Sequence, residues 1–220
     1  MFGKKKSRST VLQFLLLLLC FGPSLWAQTF SFQGDSMETV LAEGKERTVL
    51  TGNAEVQTED NLIRADRIEL YGEDFRYVIC EGNVRIVNEQ KGIDITCEQL
   101  FYNRQEKVVR VRGKVVMLDK KNEVVVKGGF LENWEESDET VVQIGVRILK
   151  EDLVCRAEYA RYLRNEEKLE LSGMPVVNWK GDEYRALKIY IDLNTDTIRL
   201  EGDIRGKVST DLGQSEGAEP

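Results

Sequence analysis

The sequence predicts an all-β fold built of repeats about thirty residues long. Apolar residues fall at every second position through most of the chain, the periodicity of a strand with one buried face. A glycine interrupts that alternation at a near-constant interval: Gly52, Gly82, Gly113, Gly145, Gly173 and Gly202, spaced 30, 31, 32, 28 and 29. No stretch of ten or more residues carries a convincing helical stripe; Leu153 to Leu169 comes nearest, and the repeat alignment assigns it to strand.

Glycine at the centre of an alternating run marks a bulge or corner where the strand bends. Thr48–Thr51 lead into the first corner and Asn53–Val56 leave it, and the pattern recurs around the later glycines. A second marker has the same period. Ala65, Cys97, Gly128, Ala157 and Ala186 are spaced 32, 31, 29 and 29, so one register admits only small side chains, as a tight inner corner requires. Cys97 stands there in place of alanine. Asp66, Glu98 and Glu158 recur beside that small residue, which gives them a structural role at a turn or edge and not a catalytic pairing. Turn signals such as Glu59-Asp60-Asn61, Asn103–Glu106 and Asp119–Asn122 divide each unit into two or three short strands. Stacked units of this kind bury one continuous interior. Gly145 fits its unit only with a one-residue slip, and Pro175 belongs at a sheet edge or bulge.

The chain ends read differently. Residues 1–27 have a secretory signal layout: Lys4, Lys5, Lys6 and Arg8, then the apolar run Val11–Phe21, then Leu25-Trp26-Ala27 before Gln28. The apolar run is short for a membrane span, yet Leu25 is large for a cleavage site, so a retained N-terminal anchor stays open. Leu19 before Cys20 is bulkier than a lipoprotein signal normally allows. Residues 28–208 form the repeat domain, and 209–220 read as a disordered, solvated tail.

Composition removes whole classes of function. There is no histidine, so no Ser-His or Cys-His dyad and no His-ligated metal site exists. The formal net charge of −7 argues against nucleic acid as a partner. Removing the four cations of the leader leaves 27 basic and 38 acidic residues, a charge of −11. P-loop, Gly-x-Ser-x-Gly and dinucleotide fingerprints are all missing, so an enzyme and a cofactor are not expected. Cys80, Cys97 and Cys155 remain after the leader; an odd number leaves at least one thiol unpaired within the chain. The acidic stretch Glu132–Glu139 reads as a solvated loop, and Trp179 falls on the inward phase.

The stretch Leu50–Val56, followed by Ile63–Leu70, resembles the OstA-like family, and Glu81–Ile86 with Ile95–Leu100 repeats the signature. The resemblance runs from about Phe30 to Val208 and is strongest over 48–118. It implies a slightly twisted jelly roll, open along one side, with an apolar groove for the acyl chains of lipopolysaccharide or a related glycolipid. Copies would stack end to end by strand pairing, as a homo-oligomer and with LptC-like and LptD-like proteins, to bridge the periplasm. The alternating interior suits such a chute independently, and the unpaired ends of a long sheet invite augmentation.

The apolar phase nominates Ala54, Val56, Ile63, Ile68, Val84, Ile86, Ile95, Leu100, Val115, Met117, Val126, Leu131, Val177 and Ile189 as groove residues. The same phase is what any β-sandwich core needs, so core and groove both stay open. Two other functions compete: an LptC-like component anchored in the inner membrane, and a structural envelope solenoid that carries nothing.

Overall fold

The computed structural model describes residues 31–58 and 60–209; the expected leader and nearly all of the expected tail lie outside them. All of the strands belong to a single 16-stranded antiparallel sheet. Eight long strands form its body: β3 (Arg47–Gln57), β4 (Leu62–Tyr71), β5 (Tyr77–Asn88), β6 (Ile93–Asn103), β7 (Val108–Asp119), β8 (Val124–Trp134), β9 (Glu139–Lys150) and β10 (Leu153–Leu163). Each pairs with the next in sequence. Shorter strands flank them in couples: β1 (Ser31–Gln33) with β2 (Ser36–Val40), β11 (Lys168–Ser172) with β12 (Val176–Trp179), β13 (Asp182–Arg185) with β14 (Lys188–Asp192), and β15 (Thr197–Glu201) with β16 (Arg205–Lys207).

The register shows that each couple is one strand broken in the middle. β10 pairs through Tyr159–Leu163 with β11 and through Leu153–Arg156 with β12. β1 and β2 likewise share β3. A repeat is therefore two strands, each crossing the full width of the sheet and bending once. Pro175 sits in the break between β11 and β12, where no ladder bond is lost.

At every bend on alternate strands, two consecutive residues have positive φ: Gly52/Asn53, Gly82/Asn83, Gly113/Lys114, Ile144/Gly145, Gly173/Met174 and Gly202/Asp203. Gly52 and Asn53 together oppose the lone Asp66, so the corner is a β-bulge. Glycine is needed at the first position for two reasons. Its φ of 70 to 79° in β3, β5 and β7 is left-handed, and a Cβ on Gly82 or Gly113 would collide with the carboxylate of Asp66 or Glu98 on the neighbouring strand. Those carboxylates brace the corner: Asn83 donates to Asp66 at 2.9 Å, Asn53 to Asp35 at 2.9 Å, and Lys114 Nζ lies 3.2 Å from Glu98. The structural role expected for the recurring acids is what the geometry gives.

The slip at Gly145 has a physical origin. In β9 the first corner position is Ile144, and Gly129 faces it where the corners at Gly52, Gly82, Gly113 and Gly173 meet an acid; a Cβ on Gly129 would come within 2.9 Å of the Ile144 Cβ. Glycine and bulky side chain have exchanged strands, so glycine takes the second position.

Bending every strand at the same line folds the sheet on itself. One half holds the strand portions before or after the corner that end near Tyr71, Asn103, Trp134 and Leu163; the other holds those ending near Gln57, Asn88, Asp119 and Lys150. Their inner faces form a single core. Ala65, Cys97, Ala157 and Ala186 lie buried at the fold line, as the small-residue register requires. Outer faces carry cross-strand ion pairs, such as Arg85 on Asp94 and Arg161 on Glu139, each worth under about 1 kcal/mol.

The glycine corners set a testable order of sensitivity. Gly82→Ala combines left-handed strain with a clash and should cost about 1–3 kcal/mol. Gly145→Ala has open space around its Cβ and should cost about 1 kcal/mol, from strain alone. Urea unfolding of the two variants checks the ranking; equal losses would mean that the corner clash is relieved at no cost.

Candidate functional site: the apolar interior and its polar seam

Two ladders of inward side chains face each other across the fold. In one half the register links Val56, Ile63, Ile86, Ile95, Met117, Val126, Ile148, Cys155 and Val177 in an unbroken row across the strands. In the other half Leu50, Ile68, Cys80, Leu100, Val111, Leu131, Val142, Ala160, Leu171 and Ile189 make the matching row. Eleven of the fourteen nominated residues stand on these rows, and Ala54, Val84 and Val115 lie beside the fold line opposite Ala65, Cys97 and Gly128. All fourteen are at most 3% exposed. The structure thus brings them into one continuous apolar interior that is packed in this conformation.

Six of the ten residues in the second row, Leu50, Cys80, Val111, Val142, Ala160 and Leu171, lie outside the expected set, as do Ile148 and Cys155 in the first. They have the same phase as their neighbours, and extending the alternation to both sides of every glycine would have included them. Among the described residues Cys80, Cys97 and Cys155 are free, buried thiols. Burial pushes Cys97 and Cys155 up to about 12 and Cys80 higher still, which makes them poor nucleophiles.

Opposite the glycine spine the sheet's backbone is open, and there side chains bridge the two rims. Asn61 donates to Glu135 Oε1 at 3.0 Å. Lys91 reaches the Glu135 carbonyl and Asp138 Oδ1, the latter at 2.8 Å. Arg164 Nε donates to Asp119 Oδ2 at 2.8 Å, and its other arm reaches the Lys91 carbonyl. The Tyr162 hydroxyl donates to Asp119 at 3.1 Å, and Asn122 donates to the Tyr162 oxygen at 3.0 Å. Farther along, Lys150 meets Glu167 at 3.3 Å and Lys180 meets Asp196 at 3.1 Å.

The bridges run obliquely. The turn after β3 meets the turn after β8, a displacement expected when a twisted sheet is folded over. This geometry corrects the reading of Glu132–Glu139 as a solvated loop, because Glu135 and Asp138 are tied into the seam. Burial pushes the Glu135 carboxyl up, against hydrogen bonds from Asn61 and Tyr102 and the charge of Lys91. Burial also opposes the charge on Asp138, but Lys91, Asn165 and Arg164 together outweigh it and hold that carboxyl below its usual range. Asp119 has no exposed side-chain surface and Arg164 only 7%, so this pair is the buried pin of the seam.

The molecule is a repeat-built, open jelly roll with an apolar interior, and the chain belongs to the OstA-like family: the family model for OstA-like protein matches residues 30–169. Among solved structures, the chain is similar to LptH of Pseudomonas aeruginosa, described as the LptA-homologous periplasmic component of the lipopolysaccharide transport device. Identity is 11%, coverage 83% of this chain and 96% of that one, and the TM-score 0.25, so the fold described above stands on its own strand register. No curated protein matches the chain.

The buried pin supplies a second test. Arg164→Met alone strands the Asp119 charge and should cost about 3–5 kcal/mol. Adding Asp119→Asn keeps the turn acceptor and removes the charge, so the double variant should recover much of that loss. A double-mutant cycle by urea unfolding measures the coupling; additive losses would mean that the two groups do not interact.

Proposed function

We propose that this protein is a periplasmic carrier that holds the acyl chains of lipopolysaccharide, or of a related glycolipid, in its interior and passes the lipid from the inner towards the outer membrane. The observation that carries this reading is the pair of facing aliphatic ladders, which run through the stack without a polar interruption in the fourteen nominated residues. Family membership supports it. Nothing in the reading calls for a catalytic group, a metal or a cofactor.

End-to-end assembly belongs to the same proposal. The free edges of the sheet are β1 with β2 at one end and β15 with β16 at the other. Exposed apolar side chains gather there: Phe32, Met37, Val40 and Leu41 at the first end, Leu187, Ile204 and Val208 at the second. Unpaired backbone beside exposed apolar surface suits augmentation by a second copy or by LptC-like and LptD-like partners. The competing structural solenoid draws on the packing of the interior, which in this conformation is as tight as a plain core.

Crosslinking separates the two readings. A diazirine-bearing aliphatic residue at position 86 or 100, introduced in cells, should give lipid adducts if the interior carries acyl chains; a lack of adducts at every inward position sinks the carrier reading. Mass spectrometry of the native N-terminus distinguishes a soluble bridge starting at Gln28 from an anchored component that keeps Met1. For assembly, Met37→Lys with Val40→Lys should weaken self-association by on the order of tenfold or more, since charge on an edge strand opposes pairing. Sedimentation across a concentration series measures it, and unchanged association would remove β2 from the interface.

A further inference from the structure

The carrier reading leaves open how an acyl chain reaches a packed interior, and the geometry points to the polar seam as a gate that parts to admit it. The inference rests on that reading. Along the glycine spine the two halves are joined by the covalent chain of every strand, and within each half they are laced by the backbone ladder. Among the described residues, loop hydrogen bonds between backbone groups stay on one rim: Lys120 to Gly92, Lys180 to Asp152, Glu135 to Lys107, Arg164 to Asp138. The bonds named above that cross the seam each have a side chain as at least one partner. Such contacts break and re-form by rotamer changes, whereas parting the spine would require breaking strands. The seam is therefore the face along which the molecule opens at least cost.

One stretch of the seam borders the apolar ladder directly. A cleft of about 20 Å³ is lined both by the bridging residues Asn61, Lys91 and Glu135 and by Ile86 and Ile95 of the apolar ladder. Asn61 and Lys91 thus border the interior, and they act through hydrogen bonds and one partly exposed ion pair. The buried Asp119–Arg164 pair farther along is the more resistant point, because separating it exposes two partnered charges at once. Parting the seam at Asn61–Glu135 opens the cleft onto Ile86 and Ile95 while the Asp119–Arg164 pair still holds. The step is conformational; no bond is made or broken.

A reversible lock tests the gate. Asn61→Cys with Glu135→Cys in the full chain, with Cys20→Ser, is bridged by a short bis-methanethiosulfonate, which dithiothreitol removes; the buried Cys80, Cys97 and Cys155 stay unmodified in the folded protein. The probe is purified lipid A, with capture read by co-elution. Capture should fall by on the order of tenfold or more when locked and return on reduction. In parallel, Asn61→Ala with Lys91→Ala, its fold checked by circular dichroism, should capture lipid A faster than the unaltered protein by on the order of tenfold, since it removes two modest restraints on opening. Equal capture by locked and reduced protein, or an unchanged rate in the loosened variant, overturns the gate and leaves the carrier reading standing. Failure of the unaltered protein to capture lipid A overturns the gate together with this carrier reading.

Discussion

Everything else in this molecule depends on the two-residue left-handed corner. A strand of eleven or twelve residues would otherwise run straight through a gently twisted sheet. Two consecutive residues at φ near +45 to +80° turn it sharply, and they do so at the same place in every repeat. Glycine supplies the first at five of the six corners at no steric cost; at Gly52, Gly82 and Gly113 an acid from the preceding strand segment, braced by the second residue's side chain, fills the space that a Cβ would have occupied. Repetition aligns the corners, and alignment converts a flat sheet into a folded one with an inside.

That origin makes the molecule asymmetric in strength. The spine is covalent, the faces are backbone-bonded, and every seam bond named among the described residues needs a side chain. An apolar interior gains stability by being closed, at roughly 1.5–3 kcal/mol for each large aliphatic fully buried. The seam residues add modest, geometry-dependent increments, apart from the buried Asp119–Arg164 pair. A scaffold built this way can be stable as a stack and still yield along one line, which is the property that a carrier of long acyl chains needs.

The free edges arise from the same plan. Because the sheet folds over instead of curling into a barrel, its end strands among the described residues pair along one side within the sheet, and exposed apolar residues concentrate beside them. Interior and ends are thus two consequences of one corner repeated six times.

Much of this was legible in the chain. Strand periodicity, the glycine interval and the small-residue register follow from local sterics, so Gly82, Ala65 and Cys97 declare their roles without a structure; even the exchange at Ile144 and Gly145 shows as a one-residue slip. The phase of Ile86 or Leu100 likewise marks it as inward. The seam was not legible. Asn61, Lys91, Asp119, Glu135 and Arg164 are turn or strand-end residues of ordinary polar type, separated by tens of positions and without a shared motif. Glu135 reads locally as part of a solvated acidic loop because nothing local says that a turn five strands earlier will be folded against it. The sequence by itself determined the elements, their corners and the face each strand buries, since these depend on neighbours one or two residues apart. Only the tertiary structure decided which rims meet and whether the open side is bridged, because the oblique offset between them accumulates from the twist of the whole sheet.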